Sequence, residues 1–231
     1  MSELLQAIEI ETGATPDAAV IWLHGLGADG SDFVPIVPEL RLPPALKLRF
    51  VFPHAQQMPV TCNGGYVMPA WYDIISLDPD NRVVDGEGIE RSRQAIEALI
   101  AREVARGIAT ERIVIAGFSQ GGAIAYATAL RHPAPLAGVI ALSTYIPEPD
   151  PLFAGASEAN RTIPLFAAHG VEDDVVSLKL GTRARDELLR RGYVVDWHEY
   201  PMPHSVCIEE IVDIGRWLTQ TLAPTDAGAP R

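Results

Sequence analysis

Five residues, Gly117-Phe118-Ser119-Gln120-Gly121, stand between an apolar run at 112–116 and an alanine-rich stretch at 122–131. That order predicts a strand, a tight turn and a helix. A serine at such a turn sits in a strained backbone conformation, so the residues two before and two after it must lack side chains. Its hydroxyl then projects clear of the sheet edge. The first N–H groups of the helix point at negative charge developing beside it. Two glycines and a serine at this spacing arise by chance in roughly one chain in ten of this size. The strand before and the helix after make the motif informative.

Apolar runs at 6–11, 19–24, 47–52, 112–117, 138–143, 163–169 and 194–200 alternate with helical patterns. Residues 88–107 place Ile89, Ile96, Leu99, Ile100 and Val104 on one helical face, and Gly107 supplies the stop. A second helix is predicted over 178–191, closed by Gly192, and a third over 205–222 with Ser205 as its N-cap. Runs apolar throughout, such as 113–116 and 139–142, are expected where helices cover both faces of a parallel sheet. The expectation is therefore an α/β fold with a mostly parallel central sheet, in a single domain over 1–222, followed by a loose polar tail at 223–231. The first run suits an antiparallel edge strand. Residues 53–79 resist the alternation, mixing Met58, Trp71 and Tyr72 with the turn signal Asn63-Gly64-Gly65. A connection this long is either a packed surface excursion or a pocket wall beside the serine.

The 231 residues are 48% hydrophobic and 21% charged, the composition of a globular protein. A formal net charge of −12 argues against nucleic acid or an anionic membrane as an electrostatic partner. The N-terminus lacks a basic segment followed by an apolar one, and no apolar run reaches the length of a membrane span. Stable membrane insertion is thus not expected. Cys62 and Cys207 are too few for a disulfide framework and read as free thiols in a reducing, cytoplasmic compartment.

A serine at neutral pH needs a base within hydrogen-bond reach, itself oriented by a third group. On a strand–turn–helix elbow the partners follow in the order acid, then histidine, each on a loop after a later strand. The loop after 163–169 carries Glu172, Asp173 and Asp174; Asp173 is the first choice for the acid and Asp174 the second. The loop after 194–200 carries His204. Of the other histidines, His54, His132 and His198 read as structural, His169 as support for the acid loop, and His24 as part of the first crossover turn. That turn spells GLGADG at 25–30, a literal G-x-G-x-x-G. A dinucleotide site needs an acid at the end of the next strand, where this chain has Val51-Phe52-Pro53-His54. The alternative use of such a loop is an oxyanion donor facing the nucleophile. No metal-ligand motif is present and no cofactor is called for.

Together these residues resemble the carboxylesterase, lysophospholipase and acyl-protein thioesterase family of small α/β-hydrolases. The likeness runs from about Val20 to Leu218. It is carried by LHGLGADG at 23–30, PVTCNGG at 59–65, AWYDI at 70–74, GFSQGG at 117–122, and His169-Gly170 with Asp173, Pro203 and His204. The resemblance implies the α/β-hydrolase fold without a large lid domain. It implies Ser119 as nucleophile, Asp173 as orienting acid and His204 as base, with Leu26 and Gln120 N–H groups as the oxyanion hole and Trp71 lining the acyl pocket. Many relatives have an acid where Val171 stands and a proline where Gln56 stands. The implied activity is hydrolysis of small carboxylic oxy- or thioesters through an acyl-enzyme. A homodimer stays open, since relatives often form dimers. Two other readings compete: a non-catalytic binding protein on the same fold, and a nucleotide-binding oxidoreductase weakened by the missing ribose acid.

Overall fold

The computed structural model describes residues 4–77 and 82–223. In chain order, β1 (Ala7–Glu11), β2 (Ala18–Leu23) and β3 (Leu48–Pro53) precede two short ribbons, β4 (Gln57–Val60) with β5 (Tyr66–Pro69) and β6 (Ile74–Ser76) with β7 (Val83–Val84). Helix α1 (Gly86–Ala105) leads to β8 (Ile113–Phe118), α2 (Gln120–Ala129) and β9 (Gly138–Leu142). The chain closes with α3 (Pro149–Ala154), β10 (Leu165–Gly170), α4 (Leu178–Arg190), β11 (Val195–Tyr200) and α5 (Ile208–Thr221).

Seven strands form one sheet in the order β1-β3-β2-β8-β9-β10-β11. All neighbours run parallel except β1, which pairs antiparallel with β3 at the edge. The strands inside the sheet are mostly apolar because each feeds two cores. In β2, Ala19, Ile21 and Leu23 pack on the side of α1 and α2, while Ala18, Val20 and Trp22 pack on the side of α5. All six are at most 1% exposed. Each large one removed from water contributes about 1.5–3 kcal/mol, so a polar residue in the central strands needs a buried partner of its own.

The edge is fastened by charge. Arg49 of β3 bonds the fully buried Glu103 of α1 at 2.8 Å and Glu11 of β1 at 2.9 Å. One guanidinium thus ties strand to strand and sheet to helix.

Element boundaries fall within a few residues of the sequence expectation, with one informative difference. Ser205 does not cap the last helix. It stays in the loop, its hydroxyl bonded to Val206 O at 3.4 Å, and α5 begins after Cys207, which gives no side-chain cap. The extra loop residues lift His204 to the sheet edge. The excursion runs past residue 79, because the second ribbon closes at β7 (Val83–Val84); residues 78 and 79 of the expected span, and residues 224–231 of the expected tail, lie outside the described residues.

Candidate active site

Parallel strands deliver their C-terminal ends, and the loops after them, to one edge of the sheet. Ser119 lies there between β8 and α2 with φ 54° and ψ −121°. Its neighbours explain that strained shape. A Cβ on Gly117 would overlap Gly121, and one on Gly121 would overlap the carbonyls of Leu23 and His24. Ser119 N–H donates to Leu142 O at 2.9 Å, and Thr144 Oγ1 donates to Ser119 O at 2.6 Å. The turn is held on both sides by backbone it touches.

The loop after β10 brings one acid to this edge. Asp173 is 7% exposed, while Glu172 and Asp174 face solvent. Asp173 Oδ1 accepts the N–H groups of Val175 (2.9 Å) and Val176 (2.7 Å), which fixes its rotamer. Its Oδ2 accepts from His204 Nδ1 at 2.7 Å, and His204 Nε2 lies 3.0 Å from Ser119 Oγ. Because Nδ1 donates to a carboxylate, the neutral ring presents a lone pair at Nε2, and the serine hydroxyl is the donor. Phe118 backs the imidazole, ring centroids 4.7 Å apart. His169 supports the acid loop as expected: Nε2 donates to Val176 O at 2.7 Å and lies 3.4 Å from Asp173 Oδ2.

Burial by itself would push the Asp173 carboxyl upward. The contacts from His169 and His204 and the Val176 N–H outweigh it and hold the group well below the usual carboxylate range. It stays ionised throughout neutral pH.

Leu26 and Gln120 reach the same cleft. Among the described residues neither N–H has an acceptor, whereas neighbouring Gly27 N–H is committed to Pro69 O at 2.9 Å. The Gln120 N–H is the first of α2, an end that no intrahelical carbonyl satisfies. The loop carrying Leu26 is braced from below by His24. Its Nε2 accepts the Ala55 N–H at 3.1 Å, so the proton sits on Nδ1 and is donated to Gly25 O at 2.7 Å. Burial lowers the His24 pKa and keeps this neutral tautomer.

Trp71 is not among the side chains lining the cleft. It is 3% exposed, its Nε1 donates to His24 O at 2.9 Å, and its ring borders a separate hollow on the far side with Gln56 and Met58. The indole fastens the loop after β2 through this bond and stands outside the lining of the Ser119 cleft. Neighbouring Tyr72 lines the cleft, with Ile74, Leu77 and Val175 as apolar wall and Cys62 at its rim. The cleft volume is about 280 Å³. A larger hollow of about 400 Å³ between α1 and α2 contains neither Ser119 nor His204. Chemistry, not size, picks the site.

Two features were missed in the sequence. Gln120 uses its side chain to clamp the excursion, accepting Trp71 N–H at 2.8 Å and donating to Tyr72 O at 2.7 Å. Arg82 and Tyr145 complete the wall from segments without a recognisable motif. Among the described residues no group of three or more His, Cys, Asp or Glu side chains could hold a metal ion, and no helix is long and apolar enough to cross a membrane.

A family model described as phospholipase/carboxylesterase matches residues 5–222. Among curated proteins, acyl-protein thioesterase 1 of Yarrowia lipolytica is 39% identical over 220 residues, covering 94% of this chain and 97% of the relative. Its Neurospora crassa counterpart is 41% identical, over 89% and 87%. Among solved structures, Arabidopsis thaliana SOBER1 superposes with a TM-score of 0.84 at 31% identity, over 89% of this chain and 99% of that one. Zea mays acyl-protein thioesterase 2 gives 0.82 at 29% identity, over 94% and 99%.

Proposed function

The chain belongs to the phospholipase/carboxylesterase family and is a hydrolase of carboxylic esters and thioesters; on that premise we propose that Ser119 is its nucleophile, His204 its general base and acid, and Asp173 the group that orients His204. The single observation that carries this reading is the continuous line from Asp173 Oδ2 to His204 Nδ1 (2.7 Å) and from His204 Nε2 to Ser119 Oγ (3.0 Å). Ser119 Oγ attacks the acyl carbonyl as its proton passes to His204 Nε2. The imidazolium is stabilised by the ionised Asp173. The tetrahedral oxyanion is received by the Leu26 and Gln120 N–H groups, each such donor being worth about 10²–10³ in rate. His204 returns the proton to the departing alcohol or thiol. Water, deprotonated by the same nitrogen, then releases the acid from Ser119.

The substrate class is a small acyl ester or thioester whose chain lies along Ile74 and Leu77. The names of the relatives favour an acyl thioester, and the apolar wall is compatible with either linkage. Nucleic acid is disfavoured as a partner by the net charge of −12, and free Cys62 and Cys207 suit a reducing cytoplasm. A single catalytic unit over 1–222 is supported by one sheet collecting strands from Ala7 to Tyr200. Covalent labelling with a fluorophosphonate, mapped by peptide mass spectrometry, tests the proposal. Modification of the Ser119 peptide with loss of activity is expected; full activity after exposure, or a label elsewhere, would overturn it.

A further inference from the structure

The cleft beside Ser119 continues past its apolar wall. Arg82 and Tyr145 line it, and the same two side chains line a second cavity of about 300 Å³ on their other side. The Arg82 guanidinium carbon sits 5.0 Å from the centre of the Tyr145 ring, and Nη2 donates to Val175 O. Its Nε is buried and has no acceptor among the described residues. The guanidinium therefore keeps donor capacity that no group among the described residues uses, on a side chain that lines the cleft, and an anion is the acceptor that suits it. Beyond it, Arg183 and Arg190 of α4 line the second cavity together with Asp150 and Glu187. Glu187 is already paired with Arg190 and Arg191. Asp78 and Asp80 stand just before Arg82 in the chain, so substrates, not a count of charges, must decide the preference.

Proton traffic places the leaving heteroatom. His204 Nε2 takes the serine proton and returns it to the leaving heteroatom, so that atom departs on the side of His204. His204 is held by Asp173, and Arg82 is anchored two residues along the same loop, at Val175 O. Arg82 thus lines the same cleft as Ser119 and His204, beside the loop that carries Asp173.

We propose that Arg82 is the anion-recognising residue of a leaving-group subsite, so that esters and thioesters whose departing alcohol or thiol carries a carboxylate or phosphate are preferred over neutral ones. This rests on the reading of Ser119 and His204 above and adds a substrate class to it. A charge-assisted hydrogen bond made by the leaving group is worth about tenfold in kcat/KM.

The test compares the S-butanoyl thioesters of β-mercaptopropionate and β-mercaptopropionamide, which differ in charge and hardly in shape. For the intact enzyme the kcat/KM ratio, anionic over neutral, is expected to be about ten. In Arg82→Gln it should fall to near one, and in Arg82→Lys, which keeps the charge but loses the planar fork, it should lie between. Both rates come from one preparation, so the ratio is independent of how much of a variant folds. A second pair, the monothioester of adipic acid and its amide on a neutral thiol, carries the anion on the acyl side. An intact-enzyme ratio near one, a ratio untouched by Arg82→Gln, or an Arg82-dependent preference confined to the acyl-side pair would overturn the proposal. Failure to hydrolyse any of the four, together with no fluorophosphonate label on Ser119, would instead overturn the catalytic reading beneath it.

Discussion

The turn at 117–121 and the excursion at 54–85 both border the same cleft, yet they are built by opposite rules. In the turn, neither Gly117 nor Gly121 has room for a methyl group, and every residue of the helix that follows, from Gln120 to Ala127, is buried. In the excursion, Gly64 and Gly65 have φ of 66° and 78° with nothing within 4 Å of where a Cβ would stand, and Tyr66 beside them is 70% exposed. The turn is specified by contact, the excursion by a few hydrogen bonds such as Thr61 Oγ1 to Asp73 Oδ2 at 2.6 Å. Reaction geometry tolerates errors of well under an ångström, so it belongs on close-packed backbone. Selectivity among substrates belongs on the looser side, which can vary without disturbing the nucleophile.

The largest effects should come from the packed side. Ser119→Ala is expected to lower kcat by about 10⁶ with an unchanged melting temperature, since the hydroxyl has no substitute. Asp173→Asn should cost about 10⁴ by imposing the wrong His204 tautomer, and Asp174→Asn less than about tenfold. If steady-state kinetics gave the reverse ranking, the acid would move one residue along.

Stability should divide in the same way. Gly121→Ala forces a Cβ onto the Leu23 carbonyl and should cost about 3 kcal/mol or more. Gly64→Ala meets only the penalty of a left-handed residue, about 1–2 kcal/mol. Urea unfolding midpoints of the two variants compare them directly, and equal shifts would erase the contrast.

Within the cleft wall, Leu77→Ala should change which ester is preferred, one methylene in an apolar pocket being worth about 1–3 kcal/mol. Trp71→Phe keeps the ring but removes the Nε1 bond to His24 O, so it should slow all acyl lengths alike, by about three- to tenfold. A shifted chain-length optimum in Trp71→Phe would return the indole to the acyl pocket.

The packed side also carries a pH-sensitive cost. Glu210 of α5 is fully buried, and burial, only partly offset by the nearby Cys207 N–H, pushes its pKa up to about 8. A carboxyl whose folded pKa exceeds its unfolded value of 4.5 favours folding while protonated. Its penalty therefore grows as pH rises from about 4.5 to 8. Glu210→Gln should change thermal stability little at pH 5 and raise it at pH 9, by up to about 5 kcal/mol. An equal effect at both pH values would show that Glu210 does not titrate in this range.

What the sequence made legible follows the same division. The elbow and the strands apolar on both faces are local signals, each enforced by steric or burial constraints within a few residues, and the loops after β10 and β11 could be named from strand order alone. His204 could be chosen among six histidines because it alone stands between the last strand and the last helix. The inward turn of Trp71, the Gln120 clamp and the position of Arg82 depend on partners 47 to 93 residues away, as in Trp71 to His24 or Arg82 to Val175. No local period encodes such pairings. The helix start at Cys207 in place of Ser205 belongs with them, since the tertiary demand of the His204 loop overrides a good capping residue.

The central claim, that close packing delivers Ser119 as the atom that takes the acyl group, is tested most directly by trapping that bond. A rapid-quench reaction with a p-nitrophenyl ester, followed by peptide mass mapping, should find the acyl group on the peptide containing Ser119, formed in a burst equal to one p-nitrophenol per active site. Acylation of Cys62 or Cys207 in its place, or sustained turnover with no acyl-enzyme at any time, would contradict the account.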